Sequence, residues 1–496
     1  ATALNTLNGL TTGEINAGTV TTLTGTAAEV TATYAATGIT GLGNESLILS
    51  DTSLTASELN TLDGYTSGSV AVSLVTLVSG STAAVAQAYN STGITGLGNE
   101  AVTLSGTTAA ASDLNSIDTD TSGAINASTL TLLTGSAADV AASYASAGIT
   151  GLGNEAVTLS SETASVANLM SINAATSGNV DAVALTTITG TAADFSTLYL
   201  NSAGITGLGN ENLIVSNTTL AANILNGVDA FTLGVVDASS LVNLTGSLED
   251  VAASFASAGI SGLGATTVTL TDSTATALLL NAIDAGTSAP INAGTVTLVT
   301  GAAAAVTTAL QATGISGLTN PAVTLSDTSV AATALNTLNG LTTGEINAGT
   351  VLTLTGAASD VAATYGASGI SGLGNEAVTL TGTTAAASDL NSIDVTSGTI
   401  DASTLTLLTG SAAAVMTALQ STGITGLGDE AVTLSDTSLA ATALDALNAL
   451  TLGAIDAGSV LTLTGTAAEV TATYGASGIT GLGNEAVTLS DTSLAA

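Results

Sequence analysis

A short turn signature, Gly-Leu-Gly-Asn-Glu or a near variant, begins at Gly41, Gly96, Gly151, Gly207, Gly262, Gly317, Gly372, Gly426 and Gly481, at almost even steps. A fixed period constrains folding strongly, because whatever geometry one copy adopts must be repeatable along the chain. Nine copies of about 55 residues each fill the 496. Residues 1–496 are therefore expected to form a single continuous repeat array with no second domain. Each copy divides again. Thr26-Ala-Ala-Glu29-Val30 matches Thr55-Ala-Ser-Glu58-Leu59, and Ser81 to Val85 follows at a similar distance. The structural coil is thus expected to take half a repeat, about 27 residues, in the range of short α/β solenoids.

Within each half-repeat the chain alternates helix and strand signals. Thr26 with Glu29, Thr55 with Glu58, Ser136 with Asp139, Thr191 with Asp194 and Thr466 with Glu469 have capping-box spacing. In that motif a hydroxyl and a carboxylate satisfy the first amides of a helix. Val30 and Tyr34 then share one helix face, and Gly38 stands where the helix would stop. Val20-Thr-Thr-Leu-Thr, Leu47-Ile-Leu-Ser and Val102-Thr-Leu-Ser are β-branched runs that end at turn residues. The Ile of Gly-Ile-Thr/Ser-Gly-Leu (Ile39 through Ile479) and the Leu after it (Leu42 through Leu482) appear in every copy, so like residues are expected to stack into ladders. Eighteen half-repeats at about 4.8 Å per strand would extend for about 85 Å. The fold expected is a repeat solenoid, an α/β solenoid of nine such repeats. A right-handed parallel β-helix is the competitor, disfavoured by Ala-rich runs such as Leu439 to Leu447 that carry helical period.

Ala1 to Val20 repeat Ala332 to Val351, and the last residues, Asp491 to Ala496, stop at nearly the same phase. Polar capping repeats, which a water-exposed solenoid needs, are not evident. The expectation is a window on a longer array, or a unit that stacks end to end with copies of itself.

Composition decides which chemistry such an array can carry. There is no Lys, Arg, His, Cys or Trp, and 37 acids give a formal charge of −37. That removes imidazole bases, thiolates, zinc knots, disulfides, Schiff bases, phosphate clamps and any cationic face for nucleic acid. An enzyme is not expected. Hydrophobic residues make up 45% of the chain, which argues against disorder. No apolar run reaches the length of a membrane span. With no basic residue, trypsin has nothing to cut and Lys–Asn isopeptide cross-links are impossible.

The acids fall into groups. Glu29, Glu58, Asp139, Asp194, Asp250, Asp360 and Glu469 occupy third positions of expected helices, where the helix N-terminus favours them. The turn glutamates, Glu45, Glu100, Glu155, Glu211, Glu376, Glu430 and Glu485, would form a column roughly 10 Å apart. With Asn44, Asn99, Asn154, Asn210, Asn375, Asp429 and Asn484 beside them, and Asp51 of Ser-Asp-Thr-Ser, they are the candidate ligands for Ca²⁺, a hard cation that takes oxygen donors. The competing reading is a solvated acidic edge screened by salt. The copies at Gly262 (Ala265, Thr266) and Gly317 (Asn320, Pro321) lack the glutamate. Asp118-Thr-Asp120 resembles a cation loop and is read as a surface turn. Tyr34, Tyr89, Tyr144, Tyr199, Tyr365 and Tyr474 share one helix position where Phe255, Leu310 and Leu419 also stand, which makes it a packing position. Thr-x-Thr pairs such as Thr22 and Thr24 are read as strand residues rather than an ice-binding ladder.

The run Gly-Ile-Thr-Gly-Leu-Gly-Asn-Glu-Ala-Val-Thr-Leu-Ser-Asp-Thr-Ser-Leu-Ala-Ala resembles the tandem repeats of giant acidic cell-surface proteins of marine cyanobacteria. The resemblance covers all nine copies and lies in composition and repeat style. It implies a secreted, extracellular or cell-surface structural role. The calcium nonapeptide Gly-Gly-x-Gly-x-Asp is missing, so the resemblance carries no calcium role to Glu45 or Asp51. The function expected is a non-enzymatic structural protein forming an extracellular fibre, sheath or surface layer. The alternative is the repetitive stalk of a Ca²⁺-dependent adhesin. Its expected partners are itself and divalent cations, with no nucleic acid and no membrane insertion; bundling of such acidic chains should require divalent ions or high ionic strength.

Overall fold

The computed structural model describes residues 1–493. Among them, 18 α-helices of 7 to 10 residues alternate with short strands, and every strand pairing is parallel. This is the α/β solenoid and not the all-β alternative. The chain packs as two compact units, one of residues 1–220, 224–241 and 257–262, the other of residues 221–223, 242–256 and 263–496. Both are built from the same coils. No helix among the described residues is long and apolar enough to cross a membrane.

The local reasons are repeated in each coil. In the first unit, helix Ala27–Ala35 leads to strands Ile39–Thr40, Ser46–Leu49 and Ser53–Thr55, then to helix Ala56–Tyr65. Full capping boxes close on Thr26/Glu29, Thr55/Glu58, Thr191/Asp194 and Thr466/Glu469. Ser136 accepts from the Asp139 amide but gives its hydroxyl to the Asp139 carboxylate at 2.6 Å instead of closing the reciprocal bond. After the first helix, Thr2–Leu10, which buries no residue, the helices turn a narrow face inward: Ala27, Val30 and Thr33 in one, Ala111, Leu114 and Ile117 in another. Burying a Leu or Ile at such positions contributes about 1.5–3 kcal/mol, which holds helices too short to persist alone.

The ladders differ from the expectation that like residues stack. In the first unit, one runs Leu54–Val78–Val102–Ile125–Ile149. Its counterpart in the second runs Ala275–Val299–Val323–Ile346–Ile370. A rung uses less chain than the step from one helix to the next: Val102 is already paired with Ile125, whereas helix Ala111–Asp120 is followed only by helix Ala137–Ala145. Unlike positions of the repeat are therefore brought side by side, and the helix creeps forward along successive rungs. One rung past Ile149 the chain is already in helix Val166–Ala175, which is why that sheet stops at five strands.

Candidate functional site

The turn that carries the candidate glutamates is made by glycines. Gly41 (φ +84°) and Gly43 (φ +139°) take conformations that a side chain disfavours. The reversal turns the amides of Gly43 and Asn44 back onto the Glu45 carboxylate, at 2.9 and 3.1 Å from Oε2. Glu45, Glu100, Glu155, Glu211, Glu376 and Glu430 are at most 1% exposed. The solvated acidic edge is thus not what the structure contains. In a chain with no Lys, Arg or His to pair with it, a buried carboxylate calls for hydrogen-bond donors.

Donors reach the carboxylate from two places, and a third bond clamps the glutamate's backbone carbonyl. The same two amides recur at Glu100 (Gly98 2.7 Å, Asn99 3.2 Å), Glu155 (Gly153 2.9 Å, Asn154 3.1 Å) and Glu376 (Gly374 2.7 Å, Asn375 3.0 Å). The preceding helix adds a phenol: Tyr89 donates to Glu100 and Tyr199 to Glu211, each at 3.0 Å, and Tyr144, Tyr365 and Tyr474 donate to Glu155, Glu376 and Glu485. From the following turn, Thr66 Oγ1 donates to the Glu45 carbonyl at 2.6 Å and accepts the Gly68 amide at 2.9 Å. Thr121, Thr176 and Thr232 do the same at Glu100, Glu155 and Glu211. Burial, together with the adjacent carboxylate, holds the Tyr89, Tyr144, Tyr199 and Tyr365 phenols well above the ordinary tyrosine range. At Glu485, which is partly exposed, burial pushes the carboxyl upward, but the bonds from Tyr474, Gly483 and Asn484 outweigh it and hold the group below its usual value.

The tyrosine position therefore does more than pack, and the repeats themselves hold the clue. The copies that lose the glutamate, at Thr266 and Pro321, are preceded by Phe255 and Leu310 instead of tyrosine. Leu419 before Glu430 breaks the pairing, and there Glu430 keeps one amide bond, from Gly428 at 2.8 Å; its Oε1 has no partner, as is also true of Glu100, where Tyr89 donates to Oε2. Tyr34 does not reach Glu45; its ring stacks on Tyr65 at 4.9 Å between centroids and its hydroxyl is unpaired.

The candidate metal ligands are only partly brought together. Asn44, Asn99, Asn154, Asn210, Asn375, Asp429 and Asn484 sit next to their glutamates with exposed side chains. Asp51 is elsewhere: its Oδ2 accepts the Ala27 amide at 2.8 Å, capping the helix one rung back. Asp272, Asp327, Asp436 and Asp491 cap Leu248, Ala303, Ala412 and Ala467 in the same way, and Asn217 caps Ala192. Asp118 accepts the Ser146 hydroxyl at 2.7 Å, as Asp63, Asp229 and Asp394 accept Ser91, Ser257 and Ser421. Among the described residues, no three Asp or Glu side chains form a group that could hold a metal ion. These inter-coil caps and the phenol bonds were missed by sequence reasoning. Their spacing follows the rung, or the reach from a helix to the turn after it, and not the repeat.

No known protein family matches the chain, and no curated protein matches it.

Proposed function

We propose that this protein is a non-enzymatic structural scaffold, displayed outside the cell, that assembles into a fibre, sheath or surface layer. The observation that carries the reading is how the acids are used. The recurrent ones are engaged by backbone amides and hydroxyls of their own or the neighbouring coil: turn glutamates by Gly43-type amides, Asp51-type residues by helix starts, Asp118-type residues by serines. A chain whose charged groups hold one coil to the next is suited to length and persistence rather than to turnover of a substrate. Freedom from Lys and Arg gives it resistance to trypsin-like proteases, which supports an extracellular setting. The exposed Asn44-type side chains leave cation binding as a modulator of lateral contacts.

The test is imaging of the purified full chain by electron microscopy in calcium and in EGTA. Extended assemblies that survive chelation support a scaffold whose strength lies in its own hydrogen bonds. Assemblies present in calcium and lost in EGTA support the adhesin-stalk alternative. Dispersed particles under every condition overturn the scaffold reading.

A further inference from the structure

The second unit contains a groove of about 520 Å³, open to solvent and lined by Thr276, Leu278, Thr300, Ala302, Ala305 and Leu325 among others. Three features set it apart from the same place in other coils. Leu278 is 73% exposed, at a helix position that elsewhere holds Thr2, Ser57, Ser112, Ala167, Asn223, Thr333, Ser388 or Thr442. Helix Ala303–Gln311 has Ala302 at its N-cap with no side-chain cap bond. Its third residue is Ala305, where comparable helices carry a hydroxyl cap, an acid such as Asp139 or Asp360, or both. From Ala285 to Ser326 there is no Asp or Glu, the longest acid-free stretch of the chain. The nearest acid beyond Ser326, Asp327, has its Oδ2 on the Ala303 amide at 2.7 Å.

We infer that this groove is a contact through which a second copy of the same chain associates. Electrostatics favours this pairing. Two chains of −37 repel wherever their acids face each other. Close apposition is least costly where one coil has exchanged its exposed hydroxyls and N-terminal acid for Leu and Ala. A second groove of the same kind, whose lining carries no acid beyond the Asp327 carboxylate bonded at its edge, is the surface that meets it with the least repulsion, and an exposed Leu278 on each copy supplies apolar area to bury. This rests on the scaffold reading and names its lateral contact.

Sedimentation of the full chain over a range of concentration and salt tests it, comparing wild type with Leu278→Ser/Ala305→Asp. Both substitutions install residues that other coils carry at the same positions, so the fold tolerates them. Leu452→Ser, which removes a 93% exposed leucine outside the groove, is the comparison variant. The expected result is association that strengthens with salt, weakened about tenfold or more in the double variant and unchanged in Leu452→Ser. Equal association of wild type and double variant overturns the groove while leaving the scaffold reading intact. Wild type that stays monomeric at every salt overturns both.

Discussion

The turn at Glu155 and the turn at Pro321 occupy the same place in their coils and are held differently. In the first, a buried carboxylate gathers the Gly153 and Asn154 amides and the Tyr144 phenol, while Thr176 donates to the Glu155 carbonyl at 2.6 Å. In the second, carboxylate and phenol are both gone, Leu310 standing where Tyr144 stood, yet Thr342 still donates to the Pro321 carbonyl at 2.7 Å. The same threonine clamp survives at Thr266, bonded by Thr287 at 2.9 Å. The threonine clamp thus persists without the carboxylate, while the turn backbone changes: Leu263–Ala265 becomes a short 3-10 helix, and before Pro321 Thr319 replaces the second glycine and Asn320 takes φ +53°. The carboxylate and phenol form a separable clasp that is gained or lost almost always as a pair, as expected where either partner alone leaves a buried polar group unmatched.

Breaking the clasp should give the largest effect. Glu155→Ala strands two amides and a phenol, and a local loss of about 3 kcal/mol is expected; Thr266→Ala, which removes one buried hydroxyl from an unclasped copy, should cost less, about 1 kcal/mol. Local opening energies from native-state hydrogen exchange separate the two, and comparable losses would show that the carboxylate is incidental. Completing a half-built clasp is the converse. Leu419→Tyr offers a phenol to Glu430, whose Oε1 is unpartnered, and should slow exchange around Gly428 by about tenfold, close to about 1.4 kcal/mol. Unchanged or faster exchange would mean that the site cannot admit the ring.

A smaller effect follows from pH. The phenols of Tyr89, Tyr144, Tyr199 and Tyr365 are raised in the folded state, so folded turns hold their protons where the unfolded chain gives them up. Their stabilising contribution is full below the ordinary tyrosine value of about 10 and is lost as pH climbs above it. Clasped copies should loosen in that window before the copies at Thr266 and Pro321. The last clasp also has an acid limit: Glu485 is held low, so its contribution is present above the usual carboxylate range near about 4 and fades as pH falls through it. Exchange profiles that respond to alkali equally in all copies would count against the phenol's part.

Much of the fold was legible because the repeat displays its own rules. Thr26-x-x-Glu29 announces a helix start, and most copies keep some form of it; the end is less legible, since the helix stops at Ala35 with an extended Ala36, short of Gly38. The ladders were not legible. The repeat invites Ile39 to pair with its counterpart Ile94, whereas backbone register joins it to Ile15, one rung back. Registers are set by strand and turn length, and a period in sequence does not reveal an offset between rung and repeat. The turn glutamates were found but placed on the wrong side of the surface, because a charged residue in a glycine-rich turn is usually solvated. Burial became visible only once Gly43 and Gly98 aimed their amides inward. The signal that could have found it was the joint loss of Tyr and Glu in two copies. Asp51 misled for a related reason. Close to Glu45 in sequence, it works instead on the helix start at Ala27, one rung behind it.

The central claim is that buried carboxylates, held by backbone amides and a phenol, lock these turns from within. Residue-resolved hydrogen exchange of the full chain at neutral pH tests it most directly. The account predicts that the Gly98, Asn99, Gly153, Asn154, Gly374 and Asn375 amides exchange at least about tenfold more slowly than the matching Gly264 and Ala265 amides of a turn with no glutamate. Equal exchange in the two sets would contradict it.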